Sequence, residues 1–138
     1  MALLSTKGFY GLMAMYELYL HQNQSQKPLG LKEISKRCNI SSGYLEQLFS
    51  MLKKENLLKS VRGAKGGYIL VNRDKTTVKD ILTALESEIS VYKYETDNSL
   101  FDLFFRDCDK KLEKIFDIPL SALNEYRQLL NDRIDFTI

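Results

Sequence analysis

The sequence predicts a mainly α-helical fold with a single small β-hairpin, followed by one long amphipathic helix. Three observations carry that prediction. Two short helical patterns, residues 31–38 and 42–56, are separated by only Asn39, Ile40 and Ser41. Immediately after them, "SVRGAKGGYIL" (residues 60–70) places three of the chain's seven glycines and two cations within six residues, between two β-rich runs. Further on, an apolar stripe stepping by three and four runs from residue 99 to residue 116.

Taken in order, residues 6–21 form the first predicted helix, with Ser5 or Thr6 as its cap. Phe9, Tyr10, Leu12, Met13, Met15, Tyr16, Leu18, Tyr19 and Leu20 cover nearly its whole circumference. A helix apolar all round is buried on more than one side, by the domain core alone or together with a second subunit. His21, at its predicted end, suits the carbonyl terminus as a cap rather than as a catalyst. Residues 22–30 read as a polar loop around Pro28. Leu31, Ile34 and Cys38 then share one face of a short helix, and Ser41 or Ser42 caps the next, whose stripe is Leu45, Leu48, Phe49 and Leu52. Two helices joined so tightly match a helix-turn-helix, although ordinary helical hairpins share that pattern.

The hairpin raises the first reading. Residues 57–61 and 68–71 are its strands, and a hairpin directly after a helix-turn-helix is a wing. A nucleotide-binding P-loop requires G-x-x-x-x-G-K-[ST] between strand and helix. Here Gly66 and Gly67 follow Lys65 and lead into a strand. Arg62 and Lys65 at the bend therefore read as a cationic finger for DNA phosphates or a minor groove. A plain solvent-exposed turn is the alternative.

A fourth helix spans residues 77–87, with Val78, Ile81, Leu82 and Leu85 inward. Residues 88–98 are irregular and polar, and the stripe of Phe101, Phe104, Phe105, Cys108, Leu112, Ile115 and Phe116 follows. Such a helix outside a compact winged unit pairs with its copy in a dimer or packs back on its own domain. Asp102–Arg106 and Asp107–Lys111 read as i,i+4 pairs on its solvated face. Beyond Pro119, Leu120, Leu123, Tyr126 and Leu130 suggest a short final helix. The expected organisation is a winged helix-turn-helix domain, residues 1–87, and a linker, dimerisation helix and terminal helix, residues 88–138.

Composition narrows the function classes. The 138 residues are 44% apolar and 28% charged, as in ordinary folded domains. Residues 9–20 are too short to cross a bilayer. Two cysteines 70 positions apart make neither a disulfide framework nor a cysteine-built zinc site, so a reducing cytoplasm is expected. The net charge of +2 divides unevenly: residues 1–79 hold 13 Lys and Arg against 5 Asp and Glu, and residues 80–138 hold 7 against 13. A basic front half with an acidic rear half suggests one surface for polyanions and another for a different partner, the plain alternative being that both charged faces are merely solvated. No Ser or Cys sits in a nucleophile-elbow context. Asp97, Asp102, Asp107, Asp109 and Glu113 interleave with Arg106, Lys110, Lys111 and Lys114, so they do not form a metal site, and no enzyme is expected.

"LSTKGFYGL" (residues 4–12), "LKEISKRCNIS" (31–41), "YLEQLFSMLKKENLLKSVRGAKGGY" (44–68) and "TVKDILTALE" (77–86) resemble one bacterial group. It is the winged helix-turn-helix regulators of the Rrf2, or Rrf-two, family, which contains IscR, NsrR and CymR. "LFFRDCDKKLEKIFDIPLSAL" (103–123) is similar to that family's dimerisation helix and the turn after it. The resemblance implies a homodimer on a pseudo-palindromic DNA operator, acting as a repressor. Its recognition helices would enter major grooves about 34 Å apart. Ser41, Tyr44, Glu46 and Gln47 would face DNA, Gln47 suiting adenine or a phosphate and Glu46 a cytosine amino group. Arg62 would insert at the wing, with Lys65 and the Gly66 and Gly67 amides near the backbone. Ser5, Thr6 and Lys7 would touch phosphates. Against these stand plain alternatives, Tyr44 packing on the wing and Glu46 merely solvated.

Two departures bear on this. A commonly basic position is Phe9 here, and Gly43 removes a side chain from the recognition helix's first turn. The family's cluster-binding members carry three cysteines before the dimerisation helix, whereas residues 88–107 of this chain contain none. No iron–sulfur cluster or other cofactor is expected. A thiol switch at Cys38 or Cys108, a small-molecule effector and a regulatory protein are the remaining signal classes. A winged-helix module for protein association, using the acidic rear half, is the competing function, and a thiol-based redox-sensing regulator is a third.

Overall fold

The computed structural model of the protein describes residues 2–93 and 99–137, with side chains through residue 134. Among these, six α-helices and one hairpin follow in order: α1 (Thr6–Gln24), α2 (Leu31–Cys38), α3 (Ser42–Lys54), β1 (Leu58–Val61), β2 (Gly67–Leu70), α4 (Val78–Glu86), α5 (Leu100–Phe116) and α6 (Asn124–Thr137). A 3-10 turn, Leu120–Leu123, precedes α6. The mainly α fold with one antiparallel hairpin is as expected from the sequence.

Capping side chains open α3, α4 and α5. The Ser41 hydroxyl accepts from the Tyr44 amide at 3.2 Å and opens α3. Thr77 and Asp80 form a reciprocal capping box on α4, both bonds 3.0 Å. Ser99 accepts from the Asp102 amide at 3.0 Å to open α5. Helix ends are equally local. Asn39 (φ 55°) and Asn56 (φ 58°) adopt the left-handed conformation that asparagine tolerates. The Leu57 amide turns back to the Leu52 carbonyl at 3.0 Å and the Asn56 amide to Lys53 at 2.9 Å, a Schellman closure of α3.

α1 is the hub of the packing. Ala14, Met15 and Leu18 are fully buried among Ile34 of α2, Leu45, Leu48 and Leu52 of α3, and Ile81 and Leu82 of α4. Its crossing with α4 is unusually close. A Cβ on Gly11 would lie 2.1 Å from Leu85 Cδ1, and one on Gly8 would lie 2.5 Å from Glu86 Oε1. α1 also runs one turn beyond His21, whose Nε2 lies 3.1 Å from the Lys27 carbonyl and so ties down the next loop rather than ending the helix.

That loop is not merely polar. Leu29, 5% exposed, exchanges two backbone hydrogen bonds with Tyr68 (3.1 and 2.9 Å) and adds a one-residue third strand to the hairpin. Gly67 makes this possible, because a Cβ there would lie 2.3 Å from the Leu29 carbonyl oxygen. The Leu70 amide at the wing's base donates to Gln22 Oε1 of α1 at 2.8 Å.

The rear of the chain returns to this core. The Val78 amide donates to the Ile118 carbonyl at 2.9 Å, and Leu120 is fully buried in the common core. The residues expected to open a final helix form the 3-10 turn instead, because Leu120 must point inward. α6 itself is longer than expected, and Tyr16 of α1 donates to Asn124 at its start, 2.6 Å. Asp102 is 5% exposed rather than solvated, while Asp107 and Lys111 pair at 3.0 Å as expected. Asp97 lies outside the described residues.

Glycine substitutions test the α1–α4 crossing. Gly11→Ala should destabilise by about 1–3 kcal/mol despite its better helix propensity. Gly43→Ala, with nothing within 4 Å of the new Cβ, should be neutral or stabilise by up to about 0.5–1 kcal/mol. Urea midpoints at one fixed protein concentration measure both, and equal effects would show that the crossing has slack.

Candidate nucleic-acid interface

The exposed face of α3 alternates with its core stripe. Gly43, Glu46, Gln47, Ser50, Lys53 and Lys54 point outward while Leu45, Leu48, Phe49 and Leu52 point inward. The hairpin stands beside this face and is fastened to it. The rings of Phe49 and Tyr68 lie 4.6 Å apart, and Lys53 Nζ donates to Ser60 Oγ at 3.2 Å. Between helix and hairpin lies an open groove of about 680 Å³ lined by Glu46, Ser50, Lys53, Lys54 and Tyr68. Burial, then the negative charge of Glu46, pushes the Tyr68 phenol above its usual range. Ser50, Lys53 and Lys54 were absent from the sequence-derived set, though the same helical period that fixed the core stripe assigns them to the opposite face.

At the hairpin tip, Arg62 and Lys65 are exposed, and Gly63 adopts φ 116° in open space. Gly66 answers a different need. A Cβ there would lie 2.1 Å from the Val61 carbonyl oxygen, and its amide donates to Gly63 at 3.0 Å. The Gly66 amide is thus already engaged within the turn. Gly67 likewise serves the close approach to Leu29.

The expected α1 contacts gain a neighbour that sequence reasoning missed. Glu86, the last residue of α4, sends Oε1 to the start of α1. That oxygen accepts from the Ser5 amide (2.9 Å), the Ser5 hydroxyl (2.7 Å) and the Gly8 amide (3.1 Å). A carboxylate suits the positive end of a helix, and here it comes from 81 residues away. No local spacing signals such a cap. The Ser5 hydroxyl is therefore engaged by Glu86, and Ser5, Thr6 and Lys7 are all exposed. Thr6 Oγ1 lies 3.4 Å from the Tyr44 hydroxyl, and the Tyr44 ring meets Tyr10 edge-on at 6.1 Å. Tyr44 thus leans on α1, not on the wing as its sequence alternative had it.

α5 presents its apolar stripe outward. Phe101, Phe104 and Ile115 are 67%, 56% and 61% exposed, and Leu100 and Leu103, missing from the predicted stripe, 72% and 65%. Phe105, Cys108 and Leu112 are half-buried, and Phe105 rests 5.4 Å from Tyr92. Phe116 differs from the others by packing against the chain's own core.

This arrangement of helices and hairpin can be compared with known proteins. Residues 4–126 match the Rrf2 family, described as "Iron-dependent Transcriptional regulator". The chain belongs to the Rrf2 family. It is 47% identical over 126 residues to the HTH-type transcriptional regulator CymR of Bacillus subtilis, covering 89% of this chain and 90% of that protein. The solved structure of the B. subtilis regulator CymR superposes with a TM-score of 0.77, at 37% identity in that alignment, over 91% of this chain and 98% of the other. T. potens IscR superposes with a TM-score of 0.74 at 37% identity, over 90% and 87%. This Rrf2 protein is accordingly a DNA-binding transcription regulator.

The iron in the family's description finds no fitting donor set here. Among the described residues no three His, Cys, Asp or Glu side chains group as metal ligands. Cys38 is 5% exposed, and burial first, then the charge of Glu17, pushes its thiol up to about 11, with Arg37 opposing. A thiol held so far above neutral pH is a poor ligand and a poor nucleophile. No helix among the described residues is long and apolar enough to cross a membrane.

Folding raises the Cys38 value, so its contribution to stability is complete below the unfolded thiol's value and is lost as pH rises toward about 11. In a Cys108→Ser background, iodoacetamide at pH 7 should label native Cys38 at least about 100-fold more slowly than the unfolded chain. Labelling as fast as in the unfolded chain would return Cys38 to the list of thiol sensors.

Proposed function

We propose that this regulator acts as a homodimeric repressor in the cytoplasm, without catalytic activity, binding a pseudo-palindromic operator through residues 1–87 and pairing through α5. The observation that carries the reading is the rigid coupling of the exposed α3 face to the Arg62–Lys65 finger through Phe49–Tyr68 and Lys53–Ser60. A helix in the major groove and a cationic finger in the next minor groove must keep a fixed spacing, and these contacts keep it. Gln47 reads a base edge or a phosphate, and Glu46 accepts from a cytosine amino group or excludes other bases. Arg62 enters the minor groove. Lys65, Lys53, Lys54 and Lys7 neutralise phosphates and the Thr6 hydroxyl donates to one, which fixes register without reading sequence.

The homodimer rests on α5. Leu100, Phe101, Leu103 and Phe104 crowd four exposed large apolar side chains into the start of α5, and Ile115 exposes another about three turns on. Clustered exposed apolar side chains of this kind mark an interaction surface. A second copy covers it symmetrically and sets two α3 helices about one DNA turn, ~34 Å, apart. A small-molecule effector, a regulatory protein or a thiol switch at Cys108 then supplies the signal, since among the described residues no three donor side chains group as an iron site.

Selection of bound duplexes from a random DNA pool tests the reading. The wild-type protein should enrich one inverted repeat with half-sites about 10 base pairs apart. Arg62→Ala should weaken that duplex by about tenfold or more, in line with the ~1–3 kcal/mol that one specific groove contact supplies. The slope of log affinity against log salt should be about −4 or steeper, because each neutralised phosphate contributes about −0.9. Absence of any enriched repeat, or a flat salt response, overturns the reading. Phe104→Glu should convert the dimer to a monomer in sedimentation and abolish binding to the repeat. A dimer that survives would place the interface elsewhere.

A further inference from the structure

The DNA-reading surface is assembled from two elements, α1 and α3, that touch at its centre through Thr6 and Tyr44. What holds the first turn of α1 in place is neither of them. It is Glu86, through three hydrogen bonds from the Ser5 amide, the Ser5 hydroxyl and the Gly8 amide to one carboxylate oxygen. The glycine at position 8 is what admits the carboxylate, since a Cβ would stand 2.5 Å from Glu86 Oε1. Glu86 is the final residue of α4, and Ser87 beyond it turns the chain at φ 66° toward α5. One side chain therefore joins the segment leading to the pairing helix with the turn that braces Tyr44.

We propose that Glu86 is a positioning residue for operator recognition: it fixes the first turn of α1 so that Thr6 and Tyr10 set Tyr44 at the start of the recognition helix. The role rests on the operator-binding reading above. It requires an acceptor oxygen at Oε1, and the negative charge is secondary. Removing the oxygen frees the α1 turn, and Tyr44 loses its fixed pose even though α3 keeps its own Ser41 cap. Because Glu86 adjoins the exit toward α5, a rearrangement there reaches Tyr44 by this route.

The test is a double-mutant cycle on the selected duplex and on a scrambled duplex of equal length. Glu86→Ala should weaken the selected duplex by about 5- to 10-fold, the usual size of a coupling between sites, while the scrambled duplex and the salt slope stay unchanged. Glu86→Gln, which keeps the acceptor, should restore affinity to within about twofold. Tyr44→Phe should cost less than about half as much in the Glu86→Ala background as in the wild type. If Glu86→Ala does not fold cooperatively, Gly8→Ala displaces the carboxylate from the other side and carries the same expectation. Strictly additive losses would show that Glu86 only stabilises the fold and would overturn the proposal. Glu86→Gln binding both duplexes more tightly would also overturn it, by showing that the charge merely repels phosphate. A wild-type protein that binds neither duplex sinks the operator reading along with it, whereas additivity with wild-type binding intact sinks this proposal alone.

Discussion

The close crossing of α1 and α4 is the constraint from which the rest of this structure follows. Gly8 and Gly11 leave no Cβ on the side of α1 that meets Leu82, Leu85 and Glu86, so the helices approach nearer than side chains allow elsewhere. Dispersion contacts gain from that proximity, and the Glu86 carboxylate gains access to amides it would otherwise not reach. Once α1 is seated, its other faces set the positions of α2, α3 and β2. Ala14, Met15 and Leu18 then make one core with the helix-turn-helix. The near-continuous apolar surface of α1 is the sequence's record of that role.

The wing illustrates how one short segment meets several physical demands. Its glycines are unusual in number, yet two of the three serve the fold. Gly66 lets the turn close on Val61, and Gly67 lets the strand close on Leu29. Gly63 alone sits in open space at a positive φ, beside Arg62. The finger is therefore stiff at its base and cationic at its tip. Stiffness matters because ordering a loose loop on binding costs conformational entropy, and a wing already fastened to α3 and α1 avoids much of that cost.

Charge and exposed apolar surface are unevenly distributed along the chain. The front half carries 13 cations against 5 anions, and the groove between α3 and the wing collects Lys53 and Lys54 near Arg62 and Lys65. The rear half has the opposite balance and presents the exposed face of α5. Front and rear halves of the sequence therefore differ in charge and in exposed apolar surface. The tail does not hang free, since Val78 bonds to Ile118 and Leu120 enters the front half's core. The segment that follows α5 is for that reason joined to the start of α4.

The amino-acid sequence by itself determined the elements and their chemistry. Helical periods located α2, α3, α4 and α5, capping residues set the starts of α3, α4 and α5, and the glycine-rich bend announced the hairpin. These are local signals, acting over three or four residues, and the motifs of the Rrf2 family are written in the same stretches. What the sequence could not contain was any pairing decided by the meeting of distant segments. Leu29 as a third strand, Glu86 as the cap of α1 and Tyr44 leaning on Tyr10 join positions 39, 81 and 34 residues apart, and Leu120 enters the core from beyond α5. Their partners are chosen by shape and by the need to satisfy buried polar groups, which exist only once the chain has closed. Propensity acts along the chain, and packing acts across it; the tertiary structure alone decided the second.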